Sequence, residues 1–323
     1  EMIRRRCLLA TPLLVTLPES ARAQSWPTRP IRFVVPFAAG AGILDIMARI
    51  LAQHLTEALG QQVVVDNKPG AGGNVGAEIV AKAAPDGYTM LIANQAMLVS
   101  PFLFAQMGYD PLKDLLPVTM INSAPLMVVV HPALPVKSFA ELVAYSKANP
   151  GKLNYGSGGI GSTPFLAVES LKSVTGLDAT HVPYKGGAPA LADLVAGQLA
   201  FMVENVPGTL PLVKDGKLRA LAVTSAKRVA LVPDLPTLQE AGVAGYEMIG
   251  WNGLFVPAGT PRDIVAKLHD ASAKVLRRPD VIEQLAKLGA ESVGNPQPEF
   301  AAFVQAETDR WGRIIRDKGI KPE

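Results

Sequence analysis

In YGSGGIGST, residues 155 to 163, Gly156, Gly158 and Gly161 spell G-x-G-x-x-G, and the hydroxyls of Ser157, Ser162 and Thr163 are interleaved with them. Glycines at that spacing allow a tight turn, close backbone approach to an anion and close helix packing, which in one setting serves a dinucleotide pyrophosphate. The same residues suit a carboxylate, with consecutive N–H groups, hydroxyls and the positive end of a helix starting near Pro164 all available to it. A plain turn is the third reading. A dinucleotide site needs an acidic ribose partner at the end of the next strand, about 20 residues on. Asp178 stands near that distance but precedes the strand-like THVPY instead of ending it. The anion reading fits these residues best.

A second loop of the same kind is VVPFAAGAGILD, residues 34 to 45, where small residues run from a strand end at Pro36 into a helix headed by Asp45. Its backbone amides are expected to approach a ligand, while Asp45 caps the helix or complements its dipole. A third glycine run, NKPGAGGNVGAE (67 to 78), misses the register and reads as a turn and helix start. Glu204 and Asn205 end the run LAFMV, where parallel strands present ligand groups; hydrogen bonding or a hinge role suits a lone Glu there better than acid catalysis. Trp251 is either a core anchor or a cleft wall.

Catalytic groupings are sparse. His54, His131, His181 and His269 lack H-x-x-x-H or H-E-x-x-H spacing, so neither zinc nor any other metal or cofactor is expected. A G-x-S-x-G elbow fails because Tyr155 precedes Gly156-Ser157. Cys7 is the only cysteine.

The elements that must position these loops alternate. Short β-branched runs at 31 to 35, 61 to 67, 88 to 93, 126 to 130, 152 to 156, 199 to 203 and 218 to 223 are separated by amphipathic stretches. One of these is DIMARILAQHLTEAL, with Ile46, Ile50, Leu51, Leu55 and Ala58 on one helical face. Such alternation predicts an α/β fold of parallel sheets covered by helices. No linker or internal repeat divides the chain. Two extended stretches, near Asn122 to Val128 and over 246 to 261, are the expected crossings between two lobes. The lobes are 27–124 plus 251–323, and 125–250.

At the start, Arg4 to Arg6 precede a ten-residue apolar run, Leu8 to Leu17, and then Ala21-Arg22-Ala23. This is the layout of an export signal cleaved after Ala23, too short to span a membrane; a twin-arginine route is an alternative. Removing 1–23 takes away four Arg and two Glu and lowers the formal charge from +3 to +1. No clustered basic stripe suggests nucleic acid. The expected location is the periplasm, and a monomer is expected.

The segments WPTRPIRFVVPFAAG, DNKPGAGGNVGAEIVAKAAPDGYTML, NYGSGGIGSTP, HVPYKGGAPALADLVAGQ, GKLRALAVTSAKR and GLFVPAGTP together resemble the solute receptors of tripartite tricarboxylate transporters, the Bordetella uptake gene family. The resemblance implies a type II periplasmic binding protein, two α/β lobes joined by two crossing strands that close on a small carboxylate without chemistry. It also implies membrane transporter subunits as partners. A sensor kinase is an alternative destination, and a periplasmic hydrolase is the alternative of a different class. The candidate ligand-binding set is Phe37, Ala38, Gly40, Gly42, Ile43, Leu44, Asn94, Ser157, Ile160, Gly161, Ser162, Thr163, Tyr184, Glu204, Asn205 and Trp251. The chain departs from the family where Ile43 and Leu44 replace a small or hydroxyl residue and where Phe165 follows STP. These apolar exchanges point to an aromatic or monocarboxylic acid instead of a citrate-like one.

Overall fold

The computed structural model describes residues 26–319 apart from 41, 105 and 185; the expected export signal lies outside the described residues. The chain begins β1 (Ile31–Val35), α1 (Gly42–Leu59), β2 (Val63–Asn67), a 3-10 turn (Ala71–Gly73), α2 (Asn74–Ala81), β3 (Thr89–Ala93) and α3 (Gln95–Leu103). Next come β4 (Leu115–Val130), α4 (Phe139–Ala148), β5 (Asn154–Ser157), α5 (Thr163–Thr175), β6 (Thr180–Pro183), α6 (Gly187–Val195), β7 (Phe201–Asn205), α7 (Val206–Lys214) and β8 (Arg219–Val223). It closes with β9 (Ile249–Pro257), α8 (Arg262–Leu276), α9 (Pro279–Lys287), β10 (Glu291–Ser292) and α10 (Gln297–Lys318).

The strand order is β2-β1-β3-β9-β4-β7-β5-β6, with β8 and β10 also paired to β4. The long β4 serves both ends of this path. Leu115 to Pro125 pair with β9, whereas Leu126 to Val130 pair with β7 and β8. The hydrogen-bonded path therefore runs without a break between two helix-covered halves. The sheet is mixed, not purely parallel as the alternation suggested. β1 with β2 and β3, and β5 with β6 and β7, are parallel, but β9 and β4 run antiparallel to their neighbours. They must, because they carry the chain between the halves instead of returning over a helix.

Each half has its own core. Phe33, Met47, Leu51, Val118 and Leu254 gather in the first, and Val128, Phe139, Tyr155, Leu166 and Phe201 in the second. Burial of each large side chain contributes about 1.5–3 kcal/mol. On α1 the buried stripe is Leu44, Met47, Ala48, Leu51 and Leu55. Ile46, which the sequence placed on that face, is 39% exposed. The last helix, α10, joins the halves: Phe300 and Val304 pack with Trp251 and Phe255, and Trp311 and Ile315 pack in the core of the second half. Its 22 residues span about 33 Å.

Candidate functional site

Parallel strands present their following loops at their C-terminal ends, and ligands of open α/β sheets bind there. In the first half those ends are Pro36 to Gly40 after β1, residues 68–73 after β2, and Asn94 after β3. Pro36, Phe37, Gly72, Gly73, Ala77, Ala93, Asn94 and Met97 enclose a pit of about 10 Å³, close to the volume that admits one water. Asn94 caps α3, its Oδ1 accepting from the Ala96 N–H at 3.1 Å.

The loop after β1 is held from behind by Asp45. Its carboxylate accepts from the Gly40 N–H at 2.9 Å, Arg49 Nε at 2.9 Å and Asn67 Nδ2 at 2.8 Å. Asn67 Nδ2 also donates to the Phe37 carbonyl at 2.9 Å. Asp45 thus anchors the loop and the head of α1. Burial pushes its pKa up, but the bonds from Arg49, Asn67 and Gly40 hold it below the ordinary value. Ala38 and Gly40 are exposed, and Gly42 opens α1. Leu44 was expected to face a ligand, but it is 4% exposed inside the first core, and Ile43 packs against the same core. The helical period explains this: Leu44, Met47, Leu51 and Leu55 share one face.

In the second half the three glycines of the opening motif do three different things. A Cβ at Gly156 would come within 2.4 Å of Leu199 Cδ1 and 3.2 Å of Ala190 Cβ, so this glycine lets α6 close on β5. Gly158 sits against Gly186 and Gly187. Gly161 has φ +81°, and a Cβ there would meet Leu103 and Val99 of α3. Ser162 then caps α5, accepting from the Phe165 N–H at 3.4 Å. Ile160 packs on the second core, and the Thr163 methyl lies 3.6 Å from where a Cβ of Gly250 in β9 would stand.

Ser157 Oγ lies 2.7 Å from His181 Nε2 and also accepts from the Gly159 N–H at 3.1 Å. The pair has nucleophile-and-base spacing, yet Ser157 is fully buried, and no acyl carbon reaches it in this conformation. Tyr184 commits its hydroxyl to Asp193 Oδ2 at 2.6 Å, a bond that pushes its pKa up to about 12. Glu204 is buried, its Oε1 accepting from the backbone N–H and Nδ2 of Asn205. Burial raises its pKa, against the lowering by those two bonds. Its Oε2 faces Gly187 at the head of α6. Trp251 is a core anchor, 3% exposed and edge-on to Phe300 and Phe303.

α3 is the element that meets both loops, Asn94 and Met97 beside Phe37 at one end and Val99 and Leu103 beside Gly161 at the other. Neither loop carries Lys or Arg, so what they offer an anion is amides, hydroxyls and helix ends. Sequence reasoning missed Asn67, Gly72, Gly73, Met97 and His181. Asn67 ends a parallel strand, which was signal enough; His181 is placed only by its register opposite Tyr155. A groove of about 600 Å³ lies elsewhere, among Leu210, Val213, Lys214, Arg219 and Leu231. Its Arg219 is already spent on the carbonyls of Pro132, Leu134 and Val136.

Residues 47–320 match the tripartite tricarboxylate transporter family receptor profile. A protein from the tcbD-tcbE intergenic region of Pseudomonas sp. (strain P51) is 38% identical over 317 residues, 97% of this chain and 94% of that one. Rpa4515 of R. palustris, solved with adipate, is 40% identical with a TM-score of 0.84, covering 92% of this chain and all, 100%, of that one. The periplasmic binding protein BugD is 37% identical with a TM-score of 0.81, over 92% of this chain and 100% of BugD. MatC of Rhodopseudomonas palustris, solved with bound malate, is 35% identical with a TM-score of 0.81, over 90% and 100%. The fold is that of periplasmic binding proteins, two α/β lobes joined by two crossing strands. No helix among the described residues is long and apolar enough to cross a membrane.

Proposed function

This chain belongs to the tripartite tricarboxylate transporter receptor family, and from that premise we propose that it captures a small organic carboxylate in the periplasm and delivers it to a membrane transporter. The lobes are 27–124 with 251–323, and 125–250, with α10 as a brace between them. One carboxylate group is held by the loop from Phe37 to Gly42, beside Asn94. The other end of the ligand meets Ser157 to Thr163, with Tyr184, Glu204 and Asn205 behind. The protein acts by closure and not by catalysis.

The observation that carries this reading is the convergence of two small-residue loops on the two ends of α3. From Asn94 to Val99 the rise along a helix is about 7.5 Å, a span suited to a short acid with polar groups at both ends. Support also comes from relatives solved with adipate and with malate. Of the three apolar exchanges behind the expected aromatic or monocarboxylic acid, Leu44 and Phe165 lie in the cores of the two halves, so that preference rests on Ile43, which is partly buried against the first core.

A thermal-shift series with adipate, malate, benzoate, citrate and the neutral diamide of adipic acid tests this. An acid at about 100 times its Kd adds about 2.7 kcal/mol of stability, and the diamide adds none. Stabilisation by none of the acids, or equally by the diamide, overturns the receptor reading.

A further inference from the structure

We infer that His181 is the positioning residue of the carboxylate loop: its Nε2 sets the direction of the Ser157 hydroxyl and places a titratable charge beneath Gly159 to Thr163. This rests on the proposed receptor function and concerns a residue outside its ligand-contact set.

The geometry is specific. His181 lies in β6 opposite Tyr155 of β5, on the sheet face that α5 covers, with its ring between Tyr155 (centroids 4.9 Å apart) and Phe165 (4.8 Å). Phe165 stands in the first turn of α5, whose cap is Ser162. The imidazole is therefore packed under the loop and against the helix start that would hold the anion.

A hydroxyl has one proton and two acceptor lone pairs. Ser157 Oγ accepts from the Gly159 N–H at 3.1 Å, lies 3.2 Å from the Gly159 carbonyl and 2.7 Å from His181 Nε2. When Nε2 carries no proton, Ser157 must donate to it. The Gly159 carbonyl then loses its donor. When Nε2 carries a proton, in the imidazolium or in the neutral Nε2–H tautomer, it donates to Oγ and the Ser157 proton turns to Gly159, so both polar groups of that residue are tied; only the imidazolium adds charge. The imidazolium also sets a positive charge below the amides, where a bound carboxylate offsets its repulsion from the helix N-terminus.

Among the described residues, Glu169 and Lys172 on α5 form an ion pair beside Tyr155. Tyr155 Oη donates to Glu169 Oε1 at 2.7 Å, and Lys172 Nζ donates to the same oxygen at 2.7 Å. Asp178, two residues before β6, accepts from the Gly151 N–H. Glu204 on β7 and Asp193 on α6 also belong to this half; Glu204 is buried and Asp193 accepts from the Tyr184 hydroxyl. Histidine exchanges its proton between about pH 5 and 8, a window in which ordinary ligand carboxyls stay ionised.

Adipate and malate are titrated calorimetrically into the wild-type chain and the variants His181→Gln, His181→Phe and Glu204→Gln, at intervals between about pH 5.5 and 8. Wild-type affinity should rise several-fold as pH falls, and that slope should persist in Glu204→Gln whatever the change does to affinity itself; loss of the slope in Glu204→Gln overturns the inference. His181→Gln, whose amide can donate to Ser157, should keep binding within a few-fold but lose the pH slope. His181→Phe should bind about tenfold more weakly at the acid end. A slope that survives in His181→Gln, or a wild type that binds with no slope, overturns the inference and leaves the receptor reading intact. A wild type that binds no acid at any pH overturns the receptor reading and this inference together.

Discussion

Asn67 Nδ2 donates to Asp45 Oδ1 across 2.8 Å and to the Phe37 carbonyl across 2.9 Å. One amide thus ties the end of β2 to both the head of α1 and the start of the ligand loop. Asn67→Ala should loosen Phe37 to Gly40 without emptying a core. We expect adipate affinity to fall about tenfold by calorimetry, with an unfolding cost near 1 kcal/mol, the usual size for one hydrogen bond. Unchanged affinity would mean the loop keeps its shape without this tie.

Asp45 ionises below the ordinary carboxylate range, because the bonds from Arg49, Asn67 and Gly40 outweigh the raising effect of burial. A carboxylate depressed in the folded state adds stability above its unfolded pKa of about 3.9 and loses it as pH falls through the folded value. Asp45→Asn should therefore cost about 1–3 kcal/mol near neutral pH. The gap to wild type should narrow in acid. Urea unfolding at neutral pH and below about pH 4 checks this; a pH-independent gap contradicts it.

Glu204 shifts the other way, raised by burial despite its bonds from Asn205. The stability it contributes is full below its unfolded pKa, about 4.3, and lost as pH rises through the folded value. Glu204→Gln stays neutral, so its unfolding midpoint should exceed that of wild type at alkaline pH and converge with it in acid. A variant less stable than wild type at alkaline pH would show the ionised form is favoured in place.

Leu44→Ala is expected to cost about 2–5 kcal/mol, the range for emptying a buried leucine site, and to leave the order of affinities among benzoate, adipate and citrate unchanged. Ile43→Ser should instead lower benzoate affinity relative to citrate. Thermal unfolding and competition titration separate the two, and an altered ligand order in Leu44→Ala would return that side chain to the cleft.

The α/β class, nearly every strand and both small-residue loops could be read from the sequence, because alternation and glycine spacing are local signals. The first half of β4 could not be read in this way. Its run LLPVTMINSA mixes polar with apolar residues, as befits a strand that leaves one sheet for another, and it carries Asn122 bonded to Asn252 within the crossing. Which face of α1 is buried was misjudged by one position around Ile46, since period alone leaves the phase to tertiary packing. The Ser157 and His181 contact depends on the register of two strands 24 residues apart in sequence, and no local pattern encodes it.

The central claim, that the loop from Ser157 to Thr163 holds a ligand carboxylate through amides and hydroxyls, is tested most directly by titrating adipate and malate into wild type and the Ser162→Ala/Thr163→Ala double variant. Charge-assisted hydrogen bonds are worth about 1.5–3 kcal/mol each. Saturable wild-type binding, weakened at least about tenfold in a double variant that still unfolds cooperatively, with its midpoint lowered by no more than loss of the Ser162 cap of α5 explains, is the expected result. Affinity held within about twofold in a folded double variant would place the carboxylate elsewhere and contradict the account.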